Sequence, residues 1–446
     1  MSNISVIGTG YVGLVTAACF AELGNRVSLL AADNNKPAAL VNGTIPVNEP
    51  DLGEIWERNR ERGRIIVTDD YHEGLLGAEF AFITVDAPSG NNGKCDLKLV
   101  RLAAKNIAES ASGPLIVLIK STVPVGTAEI VNRIIAYNGR NGHSLPVVSS
   151  PEFLREGSAV NDFMHPDRIV IGTPDAEVAK KVSKIYELLS APIVTCDNRT
   201  AEMSKYACNT FLATRISFMN EIALLCDEYG VDVVKLADIM CLDHRFGEGY
   251  LNAGLGWGGN CLPRDLRSLI HMAKMKNIPA RLLRAVQQIN QQQVYIIIRK
   301  LYSLLDSLEG KTVGILGLSF KPDSEDIREA RSLLIISLLE DQGCRVKAYD
   351  PDPITMQNAA RHNFTVTYCA DAYEVARSSD ALILVTEWEE FMNLDMAAMA
   401  ASMTHPILID GRNLYDPDEM MQAGFLYEGI GRCSQRTQEA RFSVIL

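Results

Sequence analysis

Close to the start, the apolar run Ile4 to Ile7 gives way to Gly8-Thr9-Gly10-Tyr11-Val12-Gly13. Residues 14–23 follow with apolar side chains at helical spacing, Gly24 stops them, and a second run, Arg26 to Leu30, comes next. Strand, Gly-x-Gly-x-x-Gly, helix and strand in that order describe the opening βαβ unit of a dinucleotide-binding sheet, and the glycine pattern gains its meaning from that setting. Gly8 makes the turn, Gly10 lets backbone approach a pyrophosphate, and Gly13 lets the helix pack on the sheet. The pyrophosphate then rests on the helix N-terminus. The plain alternative is a tight βα turn that binds nothing.

Further strands are expected at Phe80–Val85, Leu115–Ile119 and Val147–Ser149, separated by helical stretches. Residues 199–240 and 281–308 read as mainly helical, with a glycine-dense segment at 247–260 between them. A second βα alternation starts at Lys311, with strands expected at Val313–Leu316, Arg345–Tyr349, Ala381–Thr386 and Pro406–Ile409. Its first turn, Gly314-Ile-Leu-Gly317-Leu-Ser-Phe320, echoes the N-terminal one but has Phe320 in place of the third glycine, so dinucleotide binding is expected to be lost there. The fold class is α/β: two Rossmann-like, doubly wound parallel-sheet domains joined by a central helical connector. The expected boundaries are 1–198 for the cofactor domain, 199–305 for the central helical, dimer-forming region and 306–446 for the C-terminal domain.

Charge narrows the partners. The 446 residues carry 43 Lys and Arg against 55 Asp and Glu, a formal net charge of −12. Such a chain has no general affinity for nucleic acid or acidic membranes, although a few local cations can still hold a small anion. The hydrophobic content of 47% excludes global disorder. Ten cysteines occur with no Cys-x-x-Cys pair, so zinc and thioredoxin-like sites are not expected and no metal is assigned. A chain of this size does not need disulfides, which favours a reducing compartment. No basic leader precedes an apolar stretch at Met1-Ser2-Asn3 and no apolar run reaches about 18 residues, so a cytoplasmic protein without a membrane span is expected.

The segment with most chemistry is Ala253-Gly-Leu-Gly-Trp-Gly-Gly-Asn-Cys261-Leu-Pro-Arg-Asp265. Pro263 suits the first turn of a helix, which places Cys261 at a helix N-terminus where the macrodipole favours thiolate. The glycines are expected to let other groups crowd the sulfur, and Asp265 lies one helical turn on. A buried, inert thiol is the alternative reading for a cysteine without this context. Lys205 and Asn209, four residues apart, project from one face of an expected helix Ala201–Leu225, as a catalytic pair or as a solvated face. Ser121-Thr122-Val-Pro-Val-Gly126 follows a strand and falls at the carboxyl end of the sheet, a turn or a ligand site. Ser150-Pro-Glu152-Phe-Leu-Arg-Glu156-Gly also follows a strand, and its two carboxylates could equally mark a helix start.

Taken in order, these segments resemble the UDP-glucose/GDP-mannose dehydrogenase family over nearly the whole chain. The matching pieces are Gly8-x-Gly10-x-x-Gly13, Ser121-Thr122-Val-Pro, Pro151-Glu152-Phe-Leu-Arg-Glu156-Gly, Lys205-x-x-x-Asn209 and Gly258-Gly-x-Cys261-x-Pro-x-Asp265, then Phe320-Lys321-Pro-Asp-Ser-Glu-Asp and Asp410-Gly-Arg412-Asn. The resemblance implies two NAD⁺ per sugar nucleotide and oxidation of its C6 alcohol to a carboxylate. Cys261 would form a thiohemiacetal and then a thioester, which water hydrolyses. Lys205 and Asn209 would stabilise oxyanions at C6, Asp265 would orient or activate thiol and water, Thr122 would hold a water, and Glu152 or Glu156 would be the hydrolytic base. Cofactor contacts would come from the glycine turn with Tyr11 and Val12, and from Asp33, Lys36, Thr122 and Glu156. Substrate contacts would come from Glu152, Phe153, Leu154, Lys205, Asn209, Tyr250, Gly258, Lys321 and Arg412, with Arg245 lent across a homodimer interface built from the central helices.

Two positions depart from the family pattern. The acid that closes the second strand and binds the adenosine ribose aligns with Ala31, and Asp33 lies roughly 6–7 Å farther along the same strand face. A 2′-phosphate would call for an arginine there and only Lys36 is near, so NAD is expected rather than NADP. Arg264 stands where the family usually has lysine, a change that is not neutral if the side chain meets substrate. The Phe320-Lys321 segment and the Glu387-Trp388 pair point to the UDP-glucose branch. The competing readings are a GDP-mannose or UDP-N-acetylhexosamine branch, a one-hydride hydroxyacid dehydrogenase with no use for Cys261, and a decayed sugar-nucleotide-binding protein.

Overall fold

The structure, a computed structural model, describes residues 1–31, 40, 45–139, 142–247 and 249–432. It divides into two compact units, one of residues 1–208 with 267–276, the other of residues 209–266 with 277 onwards.

The first unit is built on an eight-stranded sheet. Its strands are β1 (Asn3–Ile7), β2 (Arg26–Leu30), β3 (Ile65–Thr68), β4 (Phe80–Ile83), β5 (Ile116–Ile119), β6 (Val147–Ser149), β7 (Ile169–Gly172) and β8 (Ile193–Cys196), in the order β3-β2-β1-β4-β5-β6-β7-β8. Because β1 pairs with β2 on one side and β4 on the other, the chain reverses its winding there and opens a crevice at the carboxyl ends of β1 and β4. The strands bury both faces, as helices on two sides require: Phe80 and Phe82 enter one core, Ala81 and Ile83 the other. One joint departs from the expected all-parallel sheet. β6 and β7 run antiparallel through the single pair Ser149 and Gly172, so β7 and β8 extend the sheet as a separate parallel pair.

The second unit carries a six-stranded parallel sheet of β9 (Thr312–Leu316), β10 (Arg345–Tyr349), β11 (Val366–Tyr368), β12 (Ala381–Leu384), β13 (Ile407–Asp410) and β14 (Leu426–Gly429). Its order, β11-β10-β9-β12-β13-β14, repeats the winding of the first six strands. The helix Asn198–Tyr229 runs 32 residues without proline or glycine and ends at Gly230, whose φ of 64° is a left-handed stop. The helices Val233–Cys241 and Arg281–Leu305 complete the helical region.

Within the second unit the helical region is tied to the sheet by a buried charge cluster. Lys300 lies 3.0 Å from Asp227 and 2.9 Å from Glu428 at the end of β14. Truncating the lysine leaves two buried carboxylates facing one another, so Lys300→Ala is expected to cost about 3–5 kcal/mol. Urea unfolding followed by circular dichroism measures this; a midpoint within error of wild type would show that the cluster contributes nothing.

Candidate active site

The glycine turn sits at the switch point of the first sheet. Gly8 has φ 127°, and a Cβ there would lie 2.8 Å from Thr84 Oγ1. A Cβ on Gly13 would lie 1.9 Å from the Gly8 carbonyl oxygen, so this glycine is required by the turn folding on itself as well as by helix packing. A Cβ on Gly10 would meet nothing within 4 Å, which leaves open the space where a pyrophosphate approaches. The helix Tyr11–Glu22 has no side-chain cap and no acid in its first turn, so Tyr11, Val12 and Gly13 present N–H groups and positive dipole to an anion. These residues fit a dinucleotide. The Tyr11 hydroxyl is engaged elsewhere, its one proton shared between Glu49 Oε2 and the Arg155 carbonyl oxygen, both at 2.9 Å. Burial and the Glu49 charge push that hydroxyl far up, so it stays protonated. Ala31 is buried at the end of β2, whereas Asp33 and Lys36 lie outside the described residues.

The two motif segments after β5 and β6 meet the long helix within this unit. Ser121 donates to the Val85 carbonyl at 2.6 Å, anchoring the turn that carries the buried Thr122. Glu152 is buried and places Oε1 3.0 Å from Lys205 Nζ, while its Oε2 accepts from Leu154 N at 2.6 Å. Burial alone would raise the Glu152 carboxyl, but the Lys205 charge and the Leu154 N–H outweigh it and hold the group below the usual carboxylate range. Phe153 forms the wall beside this pair. The Arg168 guanidinium stacks 3.7 Å from its ring centre and Lys205 Nζ lies 5.5 Å away. Glu156 is half-buried.

Sequence reasoning passed over Lys120. It is buried and lies 5.5 Å over the Phe163 ring; burial and the Lys205 charge bring its ammonium down to about 8 against the pull of Glu152. It precedes the Ser121-Thr122 motif directly and reads from sequence as the polar end of β5. Arg168 gave no signal because its partner, Phe153, is distant in sequence.

The second unit holds the cysteine segment. Cys261 opens the helix Cys261–Met275 and is the exposed one among the described cysteines. Asp265 is fully buried one turn later, its oxygens taken by Asn209 Nδ2 at 2.6 Å and Arg264 Nε at 2.8 Å. Asn209 therefore orients Asp265, and Arg264 serves as the counter-ion of that carboxylate. The glycines before Cys261 admit different neighbours from those expected. A Cβ on Gly258 would lie 2.4 Å from the Glu329 carbonyl and one on Gly256 would lie 2.2 Å from Asn290 Oδ1, so they let the C-terminal backbone and Asn290 close on the loop rather than crowd the sulfur.

The remaining expected substrate residues all belong to this second unit. Arg412 donates to the Val385 carbonyl at 2.7 Å and the Gly256 carbonyl at 3.2 Å and pairs with Glu387 at 3.1 Å. Lys321 is half-buried with its ammonium 5.8 Å over Phe320. Arg245 is exposed and grips Asp243 with two nitrogens, and Tyr250 is exposed at φ 59°. No described helix is long and apolar enough to cross a membrane, and no metal-binding group of His, Cys, Asp and Glu occurs among the described residues.

A doubly wound sheet with an open glycine turn at its switch point, a buried lysine–carboxylate pair close in sequence to that sheet's end, and a second Rossmann-like sheet define a nicotinamide-dependent oxidoreductase. The chain belongs to the UDP-glucose/GDP-mannose dehydrogenase family: residues 2–190 match its NAD binding domain, 199–292 its central domain and 314–417 its UDP binding domain. It is 41% identical over 439 residues to the UDP-glucose 6-dehydrogenase TuaD of Bacillus subtilis, covering 98% of this chain and 95% of the relative. It is 42% identical to the UDP-glucose 6-dehydrogenase of Pseudomonas aeruginosa, over 96% of this chain and 97% of that one. Among solved structures, the UDP-glucose dehydrogenase of Pyrobaculum islandicum superposes with a TM-score of 0.89 at 35% identity, over 97% of this chain and 98% of that one. The cofactor is NAD.

Two outcomes test this geometry. Gly13→Ala forces a methyl against the Gly8 carbonyl and should weaken NADH binding about tenfold or more, read by fluorescence titration. Unchanged affinity would mean that the turn tolerates the methyl. Because the folded Glu152 carboxyl lies below its ordinary 4.5, the stability from its pair with Lys205 is complete above that pH and is lost as pH falls through the lower folded value. Acid unfolding of Glu152→Gln should lack that part of the slope.

Proposed function

We propose that the protein is a cytoplasmic, NAD-dependent UDP-glucose 6-dehydrogenase that oxidises the C6 alcohol of UDP-glucose to the carboxylate of UDP-glucuronate. The observation that carries this reading is the exposed Cys261 at a helix start, with Asp265 buried one turn behind it, in a chain that also keeps the Lys205–Glu152 pair. A dehydrogenase that stops at one hydride transfer has no use for such a cysteine.

The turn of Gly8, Gly10 and Gly13 with the helix start at Tyr11 and Val12 would hold NAD⁺, which would supply a hydride acceptor for each of two oxidations. The chain's own groups supply the rest. Lys205, held charged by Glu152, offers an ammonium to the oxygen at C6 as negative charge develops on it. The Cys261 thiolate adds to the C6 aldehyde, forming the C–S bond of a thiohemiacetal; loss of the second hydride leaves a thioester. Water hydrolyses it, releasing the acid and regenerating the thiol, with the base drawn from the Glu152–Glu156 segment and Thr122 holding a water. Asp265 acts through Asn209 and Arg264 to fix the start of the cysteine helix. Lys321, Tyr250, Gly258 and Arg412 serve the nucleotide end of the substrate, and Phe153 and Leu154 flank the sugar.

The working form is a homodimer. Phe211, Phe218, Leu225 and Tyr229 recur at helical spacing along one helix and are 63%, 48%, 53% and 72% exposed. A stripe of that size is an interface in a soluble chain, and Arg245, exposed near it in sequence, is the residue lent to the partner's substrate.

Incubating the chain with UDP-glucose and NAD⁺ should give two NADH per sugar consumed. One NADH, or faster turnover of GDP-mannose or a UDP-N-acetylhexosamine, would reject the assignment. Cys261→Ser should still bind both ligands but form no acid. Phe218→Glu should shift the sedimenting species from dimer to monomer.

A further inference from the structure

The helix Thr127–Asn138 starts without a cap of its own, since its N-cap is Gly126 at φ 96°. Its N-terminal N–H groups are met from outside. Glu202, buried and three residues before Lys205, accepts from Gly126 N at 2.6 Å through Oε2 and from Ala128 N at 2.8 Å through Oε1. Ser149 Oγ adds a longer contact at 3.4 Å. A carboxylate against a helix N-terminus satisfies orphan donors and opposes the dipole. Burial pushes the Glu202 carboxyl up to about 7 against the pull of those two N–H groups.

Two residues of the same helix turn reinforce the junction. Asn198 Oδ1 accepts from Ser149 N at 2.8 Å, and Arg199 Nε meets Glu129 Oε1 at 2.6 Å on the first turn of the capped helix. The capped helix continues directly from the Ser121–Gly126 turn, whose other end is pinned by the bond from Ser121 to the Val85 carbonyl. Thr122 lies between the two anchors, and Lys205 lies one turn beyond Glu202.

We propose that Glu202 is a positioning residue of the dehydrogenase: by capping a neighbouring helix, its carboxylate locks the turn that carries Thr122 to the helix that carries Lys205. The proposal rests on the roles given to Thr122 and Lys205 above. The two N–H donors go to separate oxygens, so the group must present two acceptors. A glutamine offers one acceptor and turns an NH₂ toward the other donor, an alanine offers none, and an aspartate keeps both oxygens but falls one methylene short.

Steady-state kinetics of the full chain with UDP-glucose and NAD⁺ tests this. Displacement of a catalytic group by about 1 Å can cost about 100-fold, so Glu202→Ala should lower kcat about 100-fold and Glu202→Gln about 10-fold, with the KM for UDP-glucose within about twofold of wild type. Glu202→Asp should recover part of the loss. Wild-type kcat in both the alanine and glutamine variants overturns the proposal, as does a loss in which kcat, KM and the melting temperature all move together. If Glu202→Ala does not fold, the near-isosteric Glu202→Gln carries the test. Amide exchange at Gly126 and Ala128 is a readout independent of turnover: slow exchange in wild type and faster exchange in Glu202→Gln supports the cap, and equal rates overturn it. A wild-type chain that oxidises no UDP-glucose would remove the functional reading, while the exchange rates would still decide what Glu202 does.

Discussion

The carbonyl of Trp257 holds the second unit's chemistry in place. It accepts from Asn290 Nδ2 at 3.0 Å and from Arg331 Nε and Nη2 at 3.1 and 2.5 Å, while Trp257 N donates to Asn290 Oδ1 at 2.8 Å. A loop as rich in glycine as residues 253–260 loses more chain entropy on ordering than any other composition. Nearly every peptide in it is therefore secured: Gly254 N goes to Asn220, Leu255 N to the Gly411 carbonyl, Gly259 N to the Arg328 carbonyl, and the Trp257 indole to Ser217. The glycines are there for closeness. Cys261 begins its helix directly after this fixed stretch, so its place is set by groups that never touch the reacting atoms. Burial lowers the Arg331 guanidinium to about 10, and its two bonds to the Trp257 carbonyl help keep such a charge tolerable inside.

The second Rossmann-like sheet differs from the first in what meets the turn after its first strand. At the end of β10, Asp350 turns its Oδ2 onto Leu318 N at 2.7 Å, Ser319 N at 3.1 Å and the Trp388 indole at 3.2 Å. The first two are N–H groups of the turn after β9, the counterpart of the glycine turn after β1. The chain's own carboxylate takes up these donors, and burial raises its pKa despite them. The structure moves one expected position: Gly314 lies inside β9 and Gly317, at φ 91°, opens the turn as Gly8 does, so the place of the third glycine falls on Pro322 rather than on Phe320.

What the sequence disclosed follows from where information is local. β2, β6 and β10 coincide with the expected Arg26–Leu30, Val147–Ser149 and Arg345–Tyr349 because apolar runs bounded by turn residues are self-contained signals. β8 and β11 escaped notice because they are short and half-exposed, with no clean alternation. β14 escaped because its four residues include Glu428, a buried acid that makes sense only once Lys300 is beside it. The site divides in the same way. Cys261, Asp265, Lys205 and Glu152 stand in ordered motifs and were legible. Asn290, Arg331, Arg168 and Lys120 do their work through partners far away in sequence, and nothing in their own neighbourhoods announces it.

A chain of net charge −12 that handles anionic ligands has to decide where its acids go. Many of its helices are capped by aspartates, Asp70, Asp175, Asp232, Asp352 and Asp416 among them. Where a capping side chain is missing, a distant carboxylate can fill the gap, as Glu202 does at Gly126 and Ala128. Among the described residues no side chain caps the helix Tyr11–Glu22, and Glu49, whose carboxylate meets the Tyr11 hydroxyl, also accepts from Gly157 N and Ala159 N. An unneutralised helix start in so acidic a chain carries a free-energy penalty until an anion arrives. The described aspartate and glutamate caps serve other helices, which leaves the first nucleotide turn to select its ligand by charge before any side chain reads the base or the sugar.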